Sequence, residues 1–390
     1  MLYEKHHNII DGVYLELDPN GWDKIPFMDK LDAEDEDGEL YALFQDAKIY
    51  DIENIKLAHK NARKGKAHYK EVKMVDENPD KYFSEIHNML KNKTYKTSEY
   101  KVIHRKMDNG KEREIYKLPY IPDRIIHHTI MQVAEPIWRK TLIRDTYSSL
   151  KGRGIHDGVE RIKKALIDKE NTKYCLKMDI KKYYPSIDNG ILKQIIRKKI
   201  KDKDLLWLLD EIIDSTEGVP IGNYLSQYFG NLYLSGLVHK LKEKHQCKYL
   251  YQYCDDIVIL HKDKEFLHQL KNEIEEYLNT NLNLKLKENW QVFPVDKRGI
   301  DFLGYIFHHD YIILRKSIKN RFIKSILNIK KNYNKLKWTK IVNSIMSYYG
   351  WLKHANCKNL QNKYFNKEIC WIIKYTCKEH GINNPLRKVS

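Results

Sequence analysis

A chain of 390 residues is long enough for two or three subdomains and a sizeable core. Its 70 lysines and arginines against 53 aspartates and glutamates leave a formal charge of +17, which favours a polyanionic partner, nucleic acid before an anionic membrane surface. No stretch reaches the length of apolar sequence that crosses a bilayer, and MLYEKHHNII lacks a secretory pattern, so a soluble, cytoplasmic chain without a membrane partner is expected. Six cysteines (Cys175, Cys247, Cys254, Cys357, Cys370 and Cys377) form no CxxC pair and no zinc spacing, so reduced thiols are expected. Most of the 28 tyrosines read as half-buried packing residues, with some available as base-stacking faces.

In chain order, residues 1–45 read as an N-terminal extension whose LDAEDEDGEL stretch is acidic and solvated. IENIKLAHKNARKGKAHYKEV predicts a helix and a basic connection, and NPDKYFSEIHNMLKNKTY an amphipathic helix. Two strands then flank a turn at Asn109-Gly110, a hairpin carrying Arg105, Lys106, Lys111 and Arg113. Those charges suit a solvated face and phosphate contacts equally. LPYIPDRIIHHTIMQVAEPIWRKTL predicts a proline-punctuated turn leading into a long helix, with Arg124 at the junction. Glycines 152, 154 and 158 precede the next helix; they suit a close approach to phosphate or a flexible cap, and their spacing is not a P-loop.

KYCLKMDI predicts a buried strand ending at Asp179, and IDNGILKQIIRKKI a helix with Asp188 near its N-cap. An acid at the end of a core strand is costly unless paired or metal-bound. The helix DKDLLWLLDEIIDS follows, then a Gly/Pro turn and a long helix in TEGVPIGNYLSQYFGNLYLSGLVHKLK, whose small residues admit something flat or mark tight helix–sheet packing. KYLYQYCDDIVIL predicts a β-hairpin with Asp255 and Asp256 at its turn. Adjacent carboxylates repel unless a cation lies between them, which makes a hard divalent ion such as Mg²⁺ their natural partner. A Tyr-X-Asp-Asp string arises by chance roughly 0.1 times at this composition, so a solvated turn stands as the alternative until a third ligand is found. Asp179 is the candidate.

The ordered motifs IPDRIIHH, YSSLKGRGIHDGV, MDIKKYYPSI, GVPIGNYLSQ, QYCDDIVIL, NWQVFPV, GIDFLGYIF and SYYGWLKHANCKNL resemble the reverse transcriptases over roughly residues 49–360. The resemblance implies an α+β, right-hand polymerase fold: fingers at 46–170, a palm of antiparallel sheet packed on helices at 171–313 with fingers/palm helices interleaved at about 188–215, and a helical thumb and tail at 314–390. It implies that Asp179, Asp255 and Asp256 hold two Mg²⁺ ions, with Mn²⁺ as substitute, roughly 4 Å apart. Tyr184 would be the gate against a ribose 2′-hydroxyl. Arg124 and Arg113 would bind the incoming triphosphate, with Ile221 and Gly222 beside it. Gln227, Tyr253, Leu303 and Gly304 would meet template and primer.

Two departures from the commonest pattern matter. Ile221 stands where retroviral and group II intron enzymes have Gln, and Ile-Gly-x-x-x-Ser-Gln instead resembles diversity-generating retroelement and defence-associated (abortive-infection type) bacterial enzymes. Trp290 stands where the family has a lysine that protonates pyrophosphate, with Lys285 and Lys287 nearby. The partners implied are an RNA template, expected to be a dedicated noncoding RNA, a DNA product, deoxynucleoside triphosphates, and an accessory protein or further copies of the chain. The expected setting is antiviral defence, with retroelement diversification as the alternative. An idle RNA-binding module is the reading from another class, and clustered carboxylates in a basic cleft argue against it.

Overall fold

The computed structural model describes residues 8–10, 13–15, 49–106 and 112–380. The acidic LDAEDEDGEL stretch, the Asn109-Gly110 turn, Lys111 and the tail after His380 lie outside the described residues. Strands β1 (Asn8–Ile10) and β2 (Val13–Leu15) pair antiparallel. Then come helices α1 (Ile52–Ala62), α2 (Lys70–Glu77) and α3 (Pro79–Lys91), the antiparallel pair β3 (Lys101–Lys106) and β4 (Glu112–Lys117), and α4 (Ile125–Thr141). The basic connection expected after α1 is shorter than its sequence suggested, because Lys70, Glu71 and Val72 already belong to α2.

Next in the chain are α5 (Ile155–Ala165), β5 (Tyr174–Asp179), α6 (Asn189–Lys199), α7 (Lys203–Ile213), α8 (Ser226–Tyr233) and α9 (Ser235–Glu243). They are followed by β6 (Tyr249–Tyr253), β7 (Asp256–His261), α10 (Lys264–Leu282), β8 (Gln291–Pro294), the single turn α11 (Val295–Arg298), and strands β9 (Ile300–Phe302), β10 (Tyr305–Phe307) and β11 (Ile312–Leu314). Helices α12 (Lys316–Asn332), α13 (Trp338–Lys353), α14 (Lys358–Tyr364) and α15 (Lys367–Glu379) close the described chain. The architecture is α+β, and the principal sheet runs β6-β7-β5-β8 with β5 and β8 antiparallel. Among the described residues no helix is long and apolar enough to cross a membrane.

The chain packs as two compact units: Met1–Gly154, Met178–Ile257 and Gln269–Trp290 form the first, and Ile155–Lys177, Val258–His268 and Gln291–Ser390 the second. In the first, α4 is buried nearly all round, with Ile125, Ile126, Ile130, Ala134, Ile137 and Trp138 almost fully enclosed, as expected of a helix apolar on every side. Helix α1 lies against it through Ile55, Ala58 and Ala62, and the Gln132 amide donates to the Asn54 side chain at 2.6 Å. Helices α6 and α7 each begin at an aspartate that accepts a backbone N–H two residues into the helix, Asp188 from Ile191 and Asp202 from Leu205. The long helix expected after the Gly/Pro turn is broken at Leu234 into α8 and α9.

In the second unit β9, β10 and β11 form a meander. Leu303 and Gly304 make the two-residue turn between β9 and β10 with φ of 50° and 83°, the left-handed pair that matches strand twist in a tight hairpin. A Cβ on Gly304 would lie 2.6 Å from the Trp351 ring, so the position admits only glycine. Helices α12 to α15 close around Phe322, whose ring meets those of Tyr348, Tyr364 and Phe365 at 5.5 to 5.8 Å.

The turn before α4 is anchored by a residue with no counterpart among the expected site residues. Asp123 is fully buried, and its carboxylate accepts from the Tyr95 hydroxyl at 2.7 Å, the Ser98 hydroxyl at 2.6 Å and the Ser98 amide at 3.0 Å. Asp123→Ala leaves those three donors buried without an acceptor. It is expected to destabilise the chain by about 3 kcal/mol, read as a lower midpoint in urea unfolding.

Candidate active site

Asp179 is the last residue of β5, where period-two burial of Leu176 and Met178 leaves it half-buried. The chain beyond it is braced by 285–287: Lys181 donates its amide to the Lys285 carbonyl at 2.8 Å, Lys287 donates its amide to the Asp179 carbonyl at 2.9 Å, and Ile180 bridges Leu286. In Leu284-Lys285-Leu286-Lys287 the leucines are buried and the lysines face the other way, and the Lys287 ammonium donates to the Asp179 carboxylate. Trp290 is covered instead by the Lys271 ammonium, 4.5 Å from its ring centre.

Asp255 lies in the two-residue turn between β6 and β7, and Asp256 opens β7 rather than sharing the turn. Cys254, the other turn residue, takes a φ of 51°. Its thiol lies 2.8 Å from the Ser148 hydroxyl, and its carbonyl accepts from the Gln252 amide group at 3.1 Å. Gln252 in turn exchanges backbone bonds with Asp145 and Tyr147, so residues 145–148 flank the hairpin.

This scaffold brings Asp255 to Asp179. Burial first, and then the neighbouring Asp179 charge, push the Asp255 carboxyl up to about 7, with a side-chain hydrogen bond between the two acids and partial relief from Lys287. Among the described residues no group of three or more His, Cys, Asp or Glu side chains that could hold a metal ion is found. The pair itself fits a hard divalent cation. It offers two oxygen donors held together against their own repulsion, and only a proton or a cation relieves that.

Tyr184 stands beside the turn, and its hydroxyl donates to the Cys254 thiol at 3.4 Å. The Tyr183 hydroxyl donates to the Gly230 carbonyl, and a Cβ on Gly230 would come within 3.1 Å of the Tyr184 ring and 3.3 Å of the Tyr183 ring. The flat groups admitted by the small residues of α8 are therefore these two rings. Burial holds both phenols well above their ordinary range, so they remain protonated beside the carboxylates.

Arg124 precedes α4, with its Nε buried and lacking a hydrogen-bond partner; burial weakens its hold on the proton. His127 and His128 follow on α4. Burial pushes His127 down to about 4 and His128 well below its usual value, so both are neutral, and His128 stacks on Tyr224 at 4.2 Å. Arg113 lies exposed on β4. The Ile221 carbonyl accepts from the Tyr116 amide at 2.8 Å, while Gly222, at φ 122°, leaves no room for a Cβ, which would meet the Tyr116 carbonyl oxygen at 2.5 Å. Gln227 is on the first turn of α8, with its side-chain oxygen buried and without a hydrogen-bond partner among the described residues. Tyr253 ends β6. Leu303, buried, and Gly304 belong to the second unit.

A family model described as reverse transcriptase (RNA-dependent DNA polymerase) matches residues 103–307. Among curated proteins, Protein YkfC of Escherichia coli is 25% identical over 242 residues, which is 50% of this chain and 63% of that protein. A putative COX1/OXI3 intron 2 protein of Saccharomyces cerevisiae is 20% identical over 47% of this chain and 29% of its own length. The chain thus spans less than two thirds of either relative. Among solved structures, apo telomerase from Candida tropicalis aligns at a TM-score of 0.44 and 14% identity, covering 75% of this chain and 65% of that one. The RNA-dependent RNA polymerase of a human picorbirnavirus aligns at 0.40 and 14%, covering 72% and 64%.

The raised Asp255 carboxyl has a consequence for metal-free stability. The folded chain holds this proton more tightly than the unfolded one, so the contribution is complete below about 4, falls as pH rises and is gone above about 7. In chelator, urea unfolding is expected to show stability declining across that window. Asp255→Asn flattens the decline and leaves the chain more stable than its parent at alkaline pH.

Proposed function

Because the chain belongs to the reverse transcriptase (RNA-dependent DNA polymerase) family, we propose that it copies an RNA template into DNA from deoxynucleoside triphosphates, with Mg²⁺, or Mn²⁺ in its place, held by Asp179 and Asp255 and completed by Asp256. The observation that carries this reading is the half-buried Asp179–Asp255 pair, formed by a strand end and a hairpin turn inside the matched region. Bound there, the cation supplies the Lewis acidity that lowers the pKa of a primer 3′-hydroxyl and offsets charge on the departing pyrophosphate.

The protein's own groups set the geometry. Lys287 orients the Asp179 carboxylate and balances part of its charge. The Tyr184 ring, seated on Gly230 and tied to Cys254, stands beside the acidic turn as a steric bar to a ribose 2′-hydroxyl. Arg124, with a buried and unsatisfied Nε, takes triphosphate oxygens; Arg113 is a second, exposed contact. The backbone bond at Ile221 and the close approach at Gly222 fix the floor under the nucleotide, and the unsatisfied Gln227 oxygen awaits a donor on the template. The fingers, palm and thumb boundaries given by sequence belong to the same proposal. So does the setting, a bacterial or phage-borne defence system with a dedicated noncoding RNA or, as the alternative, a diversity-generating retroelement, the two groups that share the Ile221-Gly222-x-x-x-Ser226-Gln227 pattern.

Asp255→Ala with Asp256→Ala is expected to abolish metal-dependent deoxynucleotide incorporation in primer extension and to leave RNA affinity, which rests on lysine and arginine contacts, nearly unchanged. Retained extension would overturn the assignment. Tyr184→Ala is expected to raise ribonucleotide use relative to deoxynucleotide use in the same assay, and an unaltered preference would place the gate elsewhere.

A further inference from the structure

The positive charge of this chain is concentrated in one stretch. From Arg315 to His380 there are sixteen lysines and arginines against two glutamates, Glu368 and Glu379, in a chain whose whole formal charge is +17. That stretch contains helices α12 to α15 of the second unit. Helix α15 buries Ile369, Ile372, Ile373, Thr376 and Cys377 on one side. On its other side Trp371 is 53% exposed and Tyr375 45% exposed.

Single exposed aromatics are ordinary on protein surfaces. These two are organised. Their rings stack with centres 5.3 Å apart and planes 13° apart, and Tyr333 at the end of α12 meets the edge of Trp371 at 6.1 Å and 88°. Helical spacing places Lys367, Lys374 and Lys378 on the same face of α15 as the stacked pair, together with Glu368, which pairs with Lys330, and Glu379, whose carboxylate accepts from the Tyr375 hydroxyl.

A flat, rigid aromatic stack bordered by ammonium groups suits a polyanion that exposes π-faces. A second copy of the chain would bring the same excess of positive charge and be repelled. A duplex presents phosphates but hides its base faces, whereas an unpaired strand presents both at once. We propose that the face of α15 carrying Trp371 and Tyr375 is a stacking platform for unpaired RNA, with Lys367, Lys374 and Lys378 at its phosphates. The identity of the strand as RNA rests on the reverse transcription reading. The contact is distinct from that of the reacting strand ends, because it engages bases outside any template–primer duplex.

The test is equilibrium binding by the full chain of an oligouridylate, which has little structure of its own, and of a blunt RNA duplex, read by fluorescence anisotropy. Trp371→Ala and Tyr375→Ala are each expected to weaken oligouridylate binding about tenfold, the effect of losing one stacked base, without changing duplex affinity. Trp371→Phe, which keeps a stacking face, restores most of the loss. The two alanine variants leave the salt dependence of oligouridylate binding unaltered, while Lys374→Ala with Lys378→Ala lowers its slope. Unchanged oligouridylate affinity in the alanine variants overturns the proposal. So does equal weakening for duplex and single strand. The assay involves no turnover, so a chain that binds in this way yet extends no primer would refute reverse transcription and leave the platform standing.

Discussion

Two carboxylates held within hydrogen-bonding reach and largely out of water repel each other, and most of what surrounds Asp179 and Asp255 serves to keep them there. Asp179 is fixed from below, because its own carbonyl and the backbone just beyond it are tied to 285–287, so the strand end cannot fray away from its neighbour. Asp255 is fixed from the side, through a turn whose preceding residue is gripped by Ser148, Gln252 and Tyr184. A looser turn would let the acids separate and ionise independently. The scaffold holds them as one acid–base unit, in which a single proton or a cation settles the charge.

The aromatic lining acts in the same direction. Tyr183 and Tyr184 lie against Gly230, where any larger side chain would displace both rings, and their buried phenols stay protonated. Neutral hydroxyls beside the acids add no further negative charge. The position of Tyr184 thus follows from helix packing on α8 as much as from the turn it touches, and size selection at this point is a property of backbone spacing.

The parts of this arrangement that were legible in the sequence are those set by local periodicity. The apolar run in KYCLKMDI placed Asp179 at the end of a buried strand, the break between YLYQY and IVIL placed Asp255 in a turn, and Asp188 lay where an N-cap belongs. What periodicity cannot carry is a partner far along the chain. Leu284-Lys285-Leu286-Lys287 announces which face its lysines take, yet the ion pair of Lys287 with Asp179 spans 108 residues and is set by how the two backbones lie together. Asp123 was passed over for a related reason. An acid after a proline reads as an ordinary turn residue, and only its burial with Tyr95 and Ser98 shows that it anchors the turn before Arg124. The helix after residue 225 was read as continuous because the break at Leu234 has no proline or glycine at the joint.

Composition, too, means something different once it is placed on the fold. A formal charge of +17 spread evenly would make the whole surface a weak polyanion trap. Here 315–380 carries sixteen lysines and arginines against two glutamates, several times the density of net positive charge in 49–314. Concentrating the charge on α12 to α15 supplies attraction for nucleic acid there. It also joins the charge to exposed rings, and rings discriminate between paired and unpaired strands where charge alone cannot.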